Sequence, residues 1–166
     1  MPDAGLVTMT ESQPEIPVPI TVWRLPAAEP GQALPLELAR RIVVEYARDG
    51  APMLDLTRDD VLAEAARECG RARVPRTLAD FAVGSHRTAL IVLCLPRPGF
   101  QAGGFFAGCA AKLVPFGRAV VILAGADFVA SRMLADAAAP CGLRLVRRIK
   151  AFTARHHADV LVFRSG

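Results

Sequence analysis

The stretch Pro52-Met53-Leu54-Asp55-Leu56-Thr57-Arg58-Asp59-Asp60 decides the fold. It reads as an apolar strand over 51–56 that ends in a carboxylate and turns straight into a helix over 59–69. Thr57 or Asp59 is placed to cap that helix, whose inner face is Val61, Leu62, Ala65 and Ala66. Open α/β sheets take ligands at such a turn, at the carboxyl edge of a strand beside a helix N-terminus. A turn that hugs its ligand needs glycine, since only a residue without Cβ lets another molecule close on the backbone. No glycine occurs between Gly50 and Gly70.

Working outward, the segment before the strand is helical from Pro35, with Leu38, Ile42, Val43 and Tyr46 on one face and Asp49-Gly50 as its end. A short alternating strand, 21–25, carries Trp23, and a loop over 26–35 follows it. Residues 1–20 hold four prolines among polar residues without periodicity and read as a disordered tail, leaving 21–166 as a single domain.

Downstream of the helix, Gly70 suits a left-handed cap. The basic stretch Arg71-Ala72-Arg73-Val74-Pro75-Arg76 leads to an expected minor edge strand over 77–81. The run Ala89-Leu90-Ile91-Val92-Leu93-Cys94-Leu95 is uninterrupted and apolar, the pattern of a parallel strand covered on both faces. A crossover helix over 100–113 is expected next, then a buried strand over 118–123 and a helix over 127–138 capped by Asp127. Strands over 143–151 and 158–164, joined through Arg155-His156-His157, form an antiparallel pair. The expected fold class is α/β: a Rossmann-like open, mostly parallel sheet flanked by helices and closed by an antiparallel strand pair.

A chain of 166 residues supports one core. Its mean hydropathy is +0.32, yet no apolar run reaches the roughly 20 residues of a spanning helix. The N-terminus lacks the basic start of a signal peptide, so a cytoplasmic protein is expected. Cys69, Cys94, Cys109 and Cys141 are widely spaced without a CxxC pair and read as reduced core thiols rather than metal ligands. The net charge of +4 permits an anionic partner such as DNA or RNA without requiring one.

Trp23, the helix opening Pro35-Leu36-Glu37-Leu38-Ala39, the strand Met53-Leu54-Asp55 and the strand ending Leu95-Pro96-Arg97-Pro98 together resemble the DNA amino-methyltransferases. The closing pair 143–150 and 159–164 is similar to the last two strands of that family. The resemblance implies a trimmed class I methyltransferase fold and S-adenosylmethionine as cofactor. It implies cofactor contacts at Asp55, Thr57, Arg58, Asp59 and Asp80. Two departures fall on the chemistry. Leu56-Thr57-Arg58-Asp59-Asp60 replaces the family's Pro-Phe-x-Gly-x-Gly turn, and its carboxylates would oppose the cofactor's own carboxylate, though Arg58 could pair with it. Leu95 and Pro98 replace the residue that accepts from the target amine and the aromatic that stacks on a flipped base, so no catalytic residue is assigned.

Three readings follow: a degenerate, non-catalytic domain with a regulatory or interaction role, a methyltransferase with a rewired site, or a nucleic-acid-binding or scaffolding module. Arg97, Arg144, Arg147, Arg148, Lys150 and Arg155 are the candidate phosphate contacts, the last five being also interpretable as the polar face of an edge hairpin. Gly103-Gly104-Phe105-Phe106-Ala107-Gly108 suits either a crossover helix lying tight on the sheet or a face for a homodimer or protein partner.

Overall fold

The computed structural model describes residues 18–26, 34–81, 87–124, 128–154 and 157–166. The expected tail up to residue 17, most of the loop over 26–35, the cap Asp127, and Arg155 and His156 lie outside the described residues.

Strand β1 (Ile20–Arg24) precedes helix α1 (Leu36–Tyr46), and the deciding stretch forms β2 (Met53–Asp55) and α2 (Val61–Glu68). Then come β3 (Arg73–Pro75), the short helix α3 (Leu78–Phe81), β4 (Thr88–Leu95) and α4 (Ala102–Lys112). Strand β5 (Leu113–Ala124), α5 (Phe128–Ala138), a 3-10 turn (Ala139–Cys141), β6 (Leu143–Phe152) and β7 (His157–Ser165) complete the order. The sheet runs β1-β6-β7-β5-β4-β2-β3. Every pairing is parallel except those of β7 with β5 and with β6.

Apolar alternation along the strands feeds two cores. On one face, Leu38, Ile42 and Val43 of α1 and Val61, Leu62 and Ala65 of α2 pack with Leu90, Val92, Val120 and Val162. On the other, Phe105, Phe106 and Cys109 of α4 and Leu134 of α5 pack with Ile91, Leu93, Val121 and Phe163. Arg40 of α1 ties the helices of the first layer, its Nε and Nη2 donating to Glu68 at 2.6 and 3.0 Å. Gly70 has φ 66° and ends α2 as expected, its N–H donating to the Arg67 carbonyl.

Three expectations are corrected. The minor edge strand lies at Arg73–Pro75, and 77–81 is instead a helical turn whose Thr77 Oγ1 accepts from the Asp80 N–H at 3.1 Å. A threonine hydroxyl satisfying a free N–H starts a helix more readily than five mixed residues sustain a strand. The closing pair is not an edge hairpin: β7 is interior and β6 is covered by β1, so the edges are β1 and β3. Strand β5 starts at Leu113, five residues early, because the ladder with β4 jumps from Thr88↔Leu113 to Leu90↔Arg118. The extra residues fold over Phe116, which has φ 63°.

Helix α4 buries its aromatic side, and Gly108 marks a close approach: a Cβ there would stand 2.6 Å from the Phe81 ring, whereas Gly103 and Gly104 face open space. The tight contact is thus with α3 rather than with the sheet. Among the described residues no helix is long and apolar enough to cross a membrane.

Candidate functional site

The chain moves outward from β2 to β3 and then returns to place β4 on the opposite side of β2. The connections therefore diverge between β2 and β4, which opens a crevice at the carboxyl ends of these strands. Here the deciding stretch meets the end of β4. Leu95-Pro96 is a cis peptide bond, and Arg97-Pro98-Gly99 turns back over the crevice.

Asp55 lies under this crevice rather than in it. It is 1% exposed. Its Oδ1 accepts from the Thr57 N–H at 2.8 Å and the Thr57 hydroxyl at 2.5 Å, and its Oδ2 accepts from Arg73 Nε at 2.6 Å. Parallel pairing sets Met53 opposite Arg73, and the Arg76 N–H donates to the Asp55 carbonyl at 2.9 Å, so the backbone itself carries Arg73 to the carboxylate. Both oxygens are engaged by charge-assisted or short hydrogen bonds. Asp55 is thus not exposed to a ligand, and the N-cap of α2 is Asp60 rather than the expected Thr57 or Asp59, although Asp59 Oδ1 accepts the Val61 N–H at 3.3 Å.

The pocket above measures about 730 Å³, within the range of small-molecule sites. Its polar wall is Thr57, Arg58, Arg76, Thr77, Asp80 and Arg97. Pro75, Leu78, Ala79, Pro98 and Gly99 supply its apolar and backbone surfaces. Arg97 Nε and Nη1 are buried without a hydrogen-bond partner among the described residues. Burial and the like charge of Arg58 lower the Arg97 pKa from its ordinary value. Beside the site, burial and the carboxylates of Asp55 and Asp59 push the Cys94 thiol up to about 12, which leaves it protonated and a poor nucleophile.

The structure brings Thr57, Arg58, Asp80 and Arg97 together, and leaves Asp55 and Asp59 off the pocket lining. Arg144, Arg147, Arg148 and Lys150 lie on β6, separated from β4 by β7 and β5. They do not share one surface. Arg147 sits on the α1 side, where Nη1 donates to the Tyr46 hydroxyl at 3.0 Å and to Glu45 at 2.5 Å, Nε donates to Thr21 at 3.1 Å, and the guanidinium lies 5.5 Å from the Trp23 ring centre. Lys150 pairs with the buried Asp159 at 3.3 Å, and Arg144 is exposed. Arg155 lies outside the described residues. Sequence reasoning missed Arg73 and Arg76. Their signal was the alternation in Arg71-Ala72-Arg73-Val74-Pro75-Arg76, which puts Arg73 beside the preceding strand and Arg76 at the carboxyl edge.

No protein-family model matches the chain, and no curated protein matches it. Solved structures do. TrmN from Thermus thermophilus is similar at 17% identity and a TM-score of 0.58, over 82% of this chain and 50% of that one. A methyltransferase from Pyrococcus furiosus is similar at 12% identity and a TM-score of 0.58, over 84% of this chain and 88% of that one. The T. thermophilus 16S rRNA N2 G1207 methyltransferase RsmC, solved with AdoMet and guanosine, is similar at 16% identity and a TM-score of 0.54, over 82% of this chain and 40% of that one. The fold is that of the class I methyltransferases. This chain spans about half the length of TrmN and less than half that of RsmC. In its trimmed class I sheet β3 is the edge next to β2, and the residue that follows β3 is Arg76, not an acid.

Proposed function

We propose that this chain is a non-catalytic class I methyltransferase-fold domain whose crevice serves a ligand-binding, regulatory or interaction role. One observation carries the reading: the Asp55 carboxylate is fully engaged by Arg73 and Thr57, while the described residues of the open pocket present Arg58, Arg76 and Arg97 against the carboxylate of Asp80. RsmC is described with AdoMet bound, and the class I fold is compatible with S-adenosylmethionine at this end of the sheet. The lining does not match it. S-adenosylmethionine carries a sulfonium and an ammonium against one carboxylate, and a wall with an excess of two positive charges repels that net charge.

In the DNA amino-methyltransferases that this chain resembles, a side-chain oxygen at the end of this strand accepts hydrogen bonds from the target amine. At the end of β4, Leu95 and Pro98 carry no such side-chain oxygen, and Cys94 holds its own proton. Nucleic acid as a partner is supported by the net charge of +4 and by RsmC being an rRNA methyltransferase, but not by a continuous basic patch on β6. The test is calorimetry with S-adenosylmethionine, coupled to labelled methyl transfer onto DNA and RNA. The expected result is no turnover and no micromolar binding. Turnover would overturn the proposal in favour of a rewired enzyme, and Asp80→Ala would then be the first variant to assay.

A further inference from the structure

We propose that the crevice between the carboxyl ends of β2, β3 and β4 binds a small phosphorylated molecule of nucleotide size, its phosphate held by Arg58, Arg76 and Arg97. The inference rests on the reading above that the class I crevice has become a ligand site, and it names the ligand's chemistry.

The charge comes first. Three arginines from three separate segments, the β2–α2 turn, the end of β3 and the end of β4, line the pocket, and Asp80 is the one acid among the described lining residues; Arg76 Nη1 also donates to the Pro75 carbonyl at 2.9 Å. Clustered arginines repel one another, and burial costs Arg97 part of its hydration, so such a grouping is unfavourable unless an anion completes it. Arg97 records that cost directly, since Nε and Nη1 are buried and unpartnered among the described residues. Native structures rarely leave buried donors unpaired, so the Arg97 guanidinium gains a partner by turning toward an anion in the crevice. Burial and Arg58 also lower its pKa, the expected direction for a cation lacking its counter-charge.

Geometry comes second. Guanidiniums hold phosphate oxygens with paired N–H groups, which makes arginine the preferred residue for this anion. Thr77 adds a hydroxyl donor at the rim. Arg76 follows β3 at this carboxyl edge in place of an acid. Pro75, Leu78 and Pro98 offer apolar surface for the uncharged part of the ligand, and 730 Å³ is more than inorganic phosphate alone would use.

The test is calorimetry of the full chain with ADP, adenosine, inorganic phosphate and S-adenosylmethionine. ADP should bind at least about tenfold more tightly than either adenosine or phosphate alone, and the affinity should fall as sodium chloride is raised. Arg97→Ala and the exposed Arg58→Ala should each weaken ADP binding by about tenfold or more without lowering the melting temperature. Equal affinity for ADP and adenosine, no ADP binding, or undiminished binding in both variants would overturn the proposal. Tight phosphate binding with no gain for ADP would overturn the nucleotide-sized ligand. Methyl transfer from S-adenosylmethionine would overturn the non-catalytic reading instead, so the two failures are distinguishable.

Discussion

Replacing Arg73 with Met tests whether the structure assigns Asp55 correctly. The substitution keeps an unbranched stem along β3 and removes the guanidinium that donates to Asp55 Oδ2 at 2.6 Å. Breaking a buried ion pair from one side costs about 3–5 kcal/mol, because the remaining charge is stranded away from water. Two features move this case to the lower end. The Arg73 side chain is 26% exposed, so water reaches part of the site, and Thr57 keeps both of its hydrogen bonds to Oδ1. The expected loss is about 3 kcal/mol, a large fraction of the roughly 5–15 kcal/mol that holds a domain folded. For a chain of this size that lowers Tm by roughly 6–12 °C. Urea unfolding followed by far-ultraviolet circular dichroism measures it. Adding Asp55→Asn to Arg73→Met removes the stranded charge and should recover about 1–2 kcal/mol. A loss below about 1 kcal/mol for Arg73→Met, or no recovery in the double variant, would refute the claim that Asp55 is a buried, internally paired carboxylate.

Arg97→Met should raise stability by about 1 kcal/mol in thermal unfolding while weakening ADP binding by about tenfold or more, because unpaired buried donors are exchanged for apolar packing. Gly108→Ala should destabilise by about 1–2 kcal/mol and disturb α3, since its Cβ would meet Phe81 at 2.6 Å, whereas Gly104→Ala, facing open space in the same helix, should stabilise by about 0.5–1 kcal/mol. Urea titrations compare the two. Arg147→Ala should cost about 1–2 kcal/mol through its bonds to Thr21, Tyr46 and Glu45, and the exposed Arg144→Ala less than about 0.5 kcal/mol. Cys94 keeps its proton in the folded state up to about 12, whereas the unfolded thiol loses it near 9.0. In that window the unfolded chain binds fewer protons, so stability falls as pH rises above about 9, and Cys94→Ala should flatten the decline measured by urea unfolding from pH 8 to 11.

Much of the fold was legible because its signals are local. The run 89–95 reads as a doubly covered strand, and the spacing of Leu38, Ile42 and Val43 commits α1 to one buried face. The elements misread were those with weak local codes. Three residues of β3 owe their extended form to pairing with β2, and the start of β5 depends on where β4 allows the ladder to resume. Short strands have no periodicity long enough to read; their partners define them.

The site divides in the same way. Consecutive residues show an apolar strand over 51–56 carrying Asp55 near its end, no glycine turn after it, and a second strand ending in Leu95-Pro96-Arg97-Pro98 without a side-chain acceptor for an amine. It takes the folded sheet to pair Asp55 with Arg73, 18 residues away, and to gather Arg58, Arg76 and Arg97 at one crevice while the basic residues of β6 lie elsewhere. The reason is physical: a carboxylate's role depends on which cation shares its low-dielectric surroundings, and strand order rather than chain order sets that neighbour.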